Sequence, residues 1–171
     1  MKSTGVIRRI DELGRIVLPK EIRRNLGIRE GENLEIFVED DRMILKKYSK
    51  MKDYEEMIKS IGEIITQVYD SQLIVTDREK VIYSNLEHLI QANLDKNLIN
   101  FIQNRESVLK NNLQVYHFKE DLSGYYFIMP IITSTDCLGL VMIYDEKELK
   151  EEYVHLLKLV SVLISSKIDI A

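Results

Sequence analysis

The chain has 171 residues, 45% of them hydrophobic, with 24 Lys/Arg against 28 Asp/Glu for a net charge of −4. That is enough apolar material for one domain or two small ones. It excludes a membrane protein, because the longest apolar stretch, Leu156 to Ile170, is broken by Lys158, Lys167 and Asp169 and is short for a hydrocarbon layer of about 30 Å. Lys2 is followed by the polar Ser3 and Thr4, so no secretory leader is expected. The single cysteine, Cys137, rules out an intrachain disulfide and fits a reducing, cytoplasmic compartment.

The charge is unevenly spread. Residues 1–50 hold seven of the nine arginines, and twelve Lys/Arg against nine Asp/Glu, whereas residues 51–171 hold twelve against nineteen. The arginines stand among short apolar runs rather than in a polar tail, as in a folded nucleic-acid-binding module. Val6 to Ile10 and Arg15 to Leu18 read as strands joined by a tight turn at Asp11-Glu12-Leu13-Gly14. Pro19 suits the start of a short helix from Lys20 to Leu26, which Gly27 would cap. Asn33 to Glu39 and Arg42 to Tyr48 alternate as a second hairpin about Glu39-Asp40-Asp41.

Two hairpins and one short helix bury too little surface to offset an ordering entropy of about 1–2 kcal/mol per residue, so dimerisation is expected. The runs KSTG, DELGRIVLPKEIRR and GENLEIFVEDDRMILKKY resemble the AbrB-type swapped-hairpin DNA-binding domain of bacterial transition-state regulators. The resemblance implies a mainly β, dimeric swapped-hairpin barrel over residues 1–50 that binds double-stranded DNA. It further implies DNA contact by Arg8, Arg15, Arg23 and Arg24; Lys2, Arg9 and Lys20 would extend the basic surface. The competing reading of each arginine is an ordinary surface ion pair with Asp11, Glu12 or Glu21. No long recognition helix is present. Phosphate contacts and groove shape would therefore dominate, with a degenerate, A·T-rich preference and a steep salt dependence.

From Tyr54, the residues Met57, Ile61, Ile64 and Val68 recur at spacings of three and four, predicting a helix over Asp53 to Tyr69. Strands are expected at Gln72 to Asp77, Lys80 to Ser84, Leu113 to Phe118, Tyr125 to Thr133 and Leu138 to Tyr144, with a helical region from Leu86 to Asn104. A last helix carries Leu149, Tyr153, Leu156, Val160 and Leu163. Turns at Asp77-Arg78-Glu79 and Ser134-Thr135-Asp136 make the sheet antiparallel, with helices on one side, an α+β arrangement for residues 51–171. The two apolar helices either bundle between protomers or cover their own sheet.

This element order is similar to a GAF domain, a small sensor fold. Together with the first fifty residues, and with ESVLKNN and LGLVMIYDEKE in place, the chain resembles the stage V sporulation protein T family. That resemblance implies a homotetramer joined through helices of the carboxy-terminal domain, and a cytoplasmic, nucleoid-associated regulator of sporulation or growth-transition genes. It leaves room for an unidentified small-molecule ligand of the GAF-like domain.

Chemistry is not expected. His88, His117 and His155 lie far apart in sequence and Cys137 has no neighbouring His, so neither a metal site nor a catalytic pair is indicated, and no cofactor. Tyr83, Tyr116, Phe118, Tyr125, Tyr126 and Tyr144 read as packing at strand spacing. The alternative to a transcription regulator is an antitoxin-like interaction module, because the swapped-hairpin fold also resembles antitoxins that bind a partner protein.

Overall fold

The structure is a computed structural model that describes residues 5–28, 30–31, 33–69, 71–110 and 113–170. The chain divides after Tyr48 into two compact units.

In the first unit the turn at Asp11 closes as the sequence suggests. The Asp11 N–H donates to the Arg15 carbonyl at 3.1 Å and the Gly14 N–H to the Asp11 carbonyl at 2.9 Å, with Gly14 at φ +76°. The strands expected on either side, Val6 to Ile10 and Arg15 to Leu18, are not formed within one chain. Ladder formation requires a neighbour that satisfies the backbone and covers an apolar face, and a lone hairpin is marginal without one. Pro19 then precedes helix α1 (Lys20–Asn25). The Ile28 N–H reaches back to the Arg23 carbonyl at 2.7 Å and the Gly27 N–H to the Arg24 carbonyl at 3.2 Å, with Gly27 at φ +63°. This is a Schellman cap, which needs a left-handed residue at the Gly27 position.

Strands β1 (Leu34–Glu39) and β2 (Arg42–Lys47) pair antiparallel from Leu34↔Lys47 to Glu39↔Arg42, leaving Asp40 and Asp41 as a two-residue loop. Asp40 takes φ +50°, a conformation this short polar side chain tolerates. None of the described residues before Ser49 is buried. Ile7 is 93% exposed, and Val17 and Val38 each 74%.

The second unit opens with a 3-10 turn (Lys50–Tyr54) that runs into helix α2 (Glu55–Val68). Then come β3 (Gln72–Thr76), β4 (Val81–Ser84), helix α3 (Lys96–Asn104), β5 (Leu113–His117), β6 (Asp121–Ile132), β7 (Cys137–Asp145) and helix α4 (Glu152–Ile170). The five strands form one antiparallel sheet in the order β4-β3-β7-β6-β5. The α+β arrangement expected from the sequence is present, with two corrections.

Helices cover both faces rather than one. Leu73, Val75, Phe127, Ile131, Val141 and Ile143 pack with Ile58 of α2 and Leu157, Val160 and Ile164 of α4. Their neighbours along the same strands, Ile74, Ile128, Leu140 and Met142, pack on the opposite side with Leu98 and Ile102 of α3. Strand β7 lies between the two layers, buried from Cys137 to Tyr144. Its unbroken apolar run, without polar alternation, is what a strand covered on both faces requires.

The second correction concerns Leu86 to Asn104. Only Glu87–Leu89, as a 3-10 turn, and α3 are helical. Between them the backbone runs along β4: the Gln91 N–H donates to the Val81 carbonyl at 2.8 Å and the Val81 N–H to the Ala92 carbonyl at 2.9 Å. This segment covers an edge strand that would otherwise present unpaired backbone groups. Asp95 then caps α3 through Oδ1, which accepts from the Leu98 N–H at 2.8 Å.

At Gly139, β7 runs close against the end of β3. A Cβ there would lie 1.8 Å from the Thr76 carbonyl oxygen, a backbone atom inside the sheet. Gly139→Ala is expected to destabilise the protein by about 3 kcal/mol, the upper range for overpacking. Gly5→Ala, where a Cβ meets nothing within 4 Å, should leave the urea midpoint of the same transition unchanged.

Candidate nucleic-acid interface

The candidate contact residues of the first unit are carried by three local features. Arg8 and Arg9 precede the Asp11 turn, Arg15 closes it, and Lys20, Arg23 and Arg24 belong to α1. Lys2 lies outside the described residues. Arg8, Arg9, Arg15, Lys20 and Arg24 are exposed, so their charged groups face solvent and are open to a polyanion. Arg23 is half-buried, and its Nε is shielded from solvent without an acceptor. Because the Schellman cap already uses the Arg23 and Arg24 carbonyls, the last turn of α1 is fixed by its own backbone. Both side chains therefore project from a rigid base.

Among the described candidate residues, Arg15 is held in a close ion pair. Its Nε donates to Asp11 Oδ2 at 2.7 Å, while Asp11 Oδ1 accepts from the Leu13 N–H at 3.0 Å and the Arg15 N–H at 2.8 Å. These bonds from the Arg15 backbone and guanidinium hold the Asp11 carboxyl below the usual carboxylate range. The ion-pair alternative considered for the arginines thus applies to Arg15, and the contact occupies one edge of its guanidinium. Charge alone marks Asp11 only as a pairing candidate. The signal for its larger part is the i,i+4 spacing to Arg15 across a left-handed glycine.

Phe37 on β1 receives the Lys46 ammonium 4.9 Å from its ring centroid, a cation–π contact across the second hairpin. The half-exposed faces of that hairpin include Ile36, Val38, Met43 and Leu45, apolar side chains left in solvent by a single chain.

In the second unit two of the three histidines have surface partners. His88 Nε2 lies 2.6 Å from Glu120 Oε1 and His117 Nδ1 lies 2.7 Å from Asp121 Oδ1, while His155 is exposed. Among the described residues no group of three His, Cys, Asp or Glu could hold a metal ion. Cys137 is buried beside the Gly139 carbonyl, and burial pushes its thiol pKa up, away from thiolate reactivity. The aromatic residues pack as the strand spacing suggests. Tyr116 meets Tyr126 edge-on with centroids 4.6 Å apart, and Tyr126 meets Tyr144 at 4.9 Å. Burial pushes the Tyr116 hydroxyl up to about 12, with the nearby Asp95 adding to the shift. Among the described residues no helix is long and apolar enough to cross a membrane.

Comparison with known proteins relates both units to bacterial regulators. Residues 35–165 match the family described as stage V sporulation protein T C-terminal, transcription factor, and residues 7–53 match that described as antidote-toxin recognition MazE, bacterial antitoxin. Stage V sporulation protein T of Bacillus subtilis (strain 168) is 35% identical over 163 residues, covering 91% of each protein. The transition state regulatory protein AbrB of the same organism is 62% identical over 48 residues, 28% of this chain and half of that protein. The solved N-domain of the transcription factor AbrB covers 29% of this chain and 94% of its own at 61% identity, with a TM-score of 0.27. Identity that runs across both units, rather than through one of them, places the relationship at the level of the whole chain. The chain belongs to the stage V sporulation protein T family.

Proposed function

We propose that this protein is a DNA-binding transcription regulator of sporulation or growth-transition genes. In this reading the first unit grips double-stranded DNA and the second joins protomers. The observation that carries the proposal is the set of exposed cations at Arg8, Arg9, Arg15, Lys20 and Arg24, in a segment whose relative AbrB has an N-terminal DNA recognition domain. With Arg23, and with Lys2 beyond the described residues, they form the candidate contact set.

None of the described residues of this segment is buried in a single chain, so two chains interleave their hairpins into one barrel and bury Ile16, Val17, Ile36 and Val38 against each other. The Val6 to Ile10 and Arg15 to Leu18 segments then gain the ladder partners that one chain lacks. Pairing doubles Arg8, Arg15, Arg23 and Arg24 to eight guanidinium groups, each able to fork onto phosphate or onto guanine O6/N7. Phosphate contact provides the affinity and groove shape the preference, giving degenerate, A·T-rich sites. Such work places the protein at the nucleoid in the bacterial cytoplasm.

The second unit acts as a GAF-like sensor and tetramerisation domain. Helix α4 buries Leu156, Leu157, Val160 and Ile164 yet leaves Leu159 65% and Val162 63% exposed, and α2 likewise exposes Ile64 and Val68. These outward apolar side chains fit a helical bundle with a second copy. A small-molecule ligand of this domain would act by stabilising one arrangement of the bundle over another. No catalytic role is assigned to it.

The match of residues 7–53 to an antitoxin family favours a second reading, in which the chain sequesters a partner protein. Against it stands the three-layered, folded second unit where such proteins carry a short wrapping segment. Recovery of a stoichiometric second protein on gentle purification would establish this alternative.

Replacing both Arg23 and Arg24 by alanine is expected to leave the circular dichroism unchanged and to weaken binding to an A·T-rich duplex about a hundredfold at 0.1 M salt. The log–log salt slope should become shallower by about 0.9 for every phosphate that is no longer neutralised. Unaltered binding would refute the arginine assignment. Leu159→Glu with Val162→Glu should halve the light-scattering mass while preserving DNA binding, whereas an unchanged mass would place the protomer contact elsewhere.

A further inference from the structure

The geometry points to Asp11 as the residue that positions Arg15 for base readout, so that an acidic side chain on the DNA-facing turn supplies discrimination between sites rather than affinity. The inference rests on the DNA-binding reading of the first unit. Five hydrogen bonds knit residues 11–15 together: Asp11 N–H to the Arg15 carbonyl, Gly14 N–H to the Asp11 carbonyl, the Leu13 and Arg15 N–H groups to Asp11 Oδ1, and Arg15 Nε to Asp11 Oδ2. The carboxylate is thereby held at both oxygens by its own loop and is not a freely rotating counter-charge.

The consequence for Arg15 is directional. Its side chain is 71% exposed, so the pair contributes little stability in water. The 2.7 Å contact instead fixes the Nε edge of the planar guanidinium on the loop and leaves the Nη1/Nη2 edge as the fork presented outward. A forked donor held in one orientation can match guanine O6 and N7, whereas an untethered arginine settles on the nearest phosphate. Asp11 also carries a negative charge close to the duplex and so lowers attraction to any DNA, whatever its sequence. The two effects differ in kind: repulsion lowers binding to every site alike, whereas tethering favours correct sites relative to random ones.

The test compares the full chain with Asp11→Asn, Glu12→Gln, Arg15→Ala and the Asp11→Asn/Arg15→Ala double variant. Asparagine keeps an oxygen acceptor for the Leu13 and Arg15 N–H groups, so the turn is retained, and thermal denaturation checks this. Binding is measured to a duplex selected by the unmodified chain from a random pool and to a scrambled duplex of equal composition. Asp11→Asn should strengthen binding to the scrambled duplex and reduce the selected-to-scrambled ratio about tenfold. Glu12→Gln, which removes the same charge from the same turn, should strengthen both and leave the ratio unaltered. In the Arg15→Ala background Asp11→Asn should no longer change the ratio. If Asp11→Asn and Glu12→Gln behave alike, or if the Asp11 effect survives without Arg15, the positioning role is wrong while the DNA-binding reading stands. If the unmodified chain enriches no duplex from the pool and does not bind random duplex, the DNA-binding reading itself fails.

Discussion

The first unit cannot bury its apolar side chains by itself, and that constraint governs the rest of the molecule. Its described residues up to Tyr48 form one turn, one six-residue helix and one hairpin, with no buried side chain. Leaving Ile7, Ile16, Val17, Ile36 and Val38 in water forfeits about 1.5–3 kcal/mol for each side chain that a second surface could cover. A partner chain is the simplest source of that surface, and it brings a second set of arginines with it. In the proposed dimer, folding and DNA recognition have one origin: the step that supplies a core also doubles the positive charge.

The second unit solves the burial problem alone. Strand β7 sits at the centre of a five-stranded sheet with helices on either face, and close backbone approach at Gly139 locks it to β3. Having its own core, this unit is free to turn the outward side of α4 to another copy. Its polar links reinforce local order. The Asp169 carboxylate near the end of α4 accepts from the Ser134 N–H at 2.9 Å, and Arg78 bridges the turn before β4 to the turn before β7 through Asp136 and the Cys137 carbonyl. In the proposed arrangement one unit depends on assembly for its fold and the other carries assembly further.

Much of this is legible in the sequence because the signals are local. Pro19 before α1, Gly27 after it, the Asp40-Asp41 loop and the turn at Asp11 each follow from backbone preferences of one or two residues. All five strands of the second unit stand where the sequence places them, although β6 starts at Asp121 rather than Tyr125 because Asp121 to Gly124 pair with Gln114 to His117 without apolar alternation. What escapes a sequence reading depends on partners distant in the chain. The stretch from Ile90 to Leu94 has the composition of a helix, but β4 offers backbone groups that it satisfies better as an irregular strand-like cover. The second helical layer follows from the unbroken apolar run of β7, a signal that alternation alone does not weigh. The exposure of Arg8, Arg9, Arg15, Lys20 and Arg24 follows from charge, whereas the half-burial of Arg23 and the tether on Arg15 depend on the three-dimensional course of the chain.

The central claim is that the first unit acquires its core only between chains. The most direct measurement is equilibrium unfolding of residues 1–50 alone over a hundredfold range of chain concentration. A coupled dimer predicts a midpoint that rises steadily with concentration, because association and folding are one equilibrium. A concentration-independent transition of a folded monomer would contradict the account.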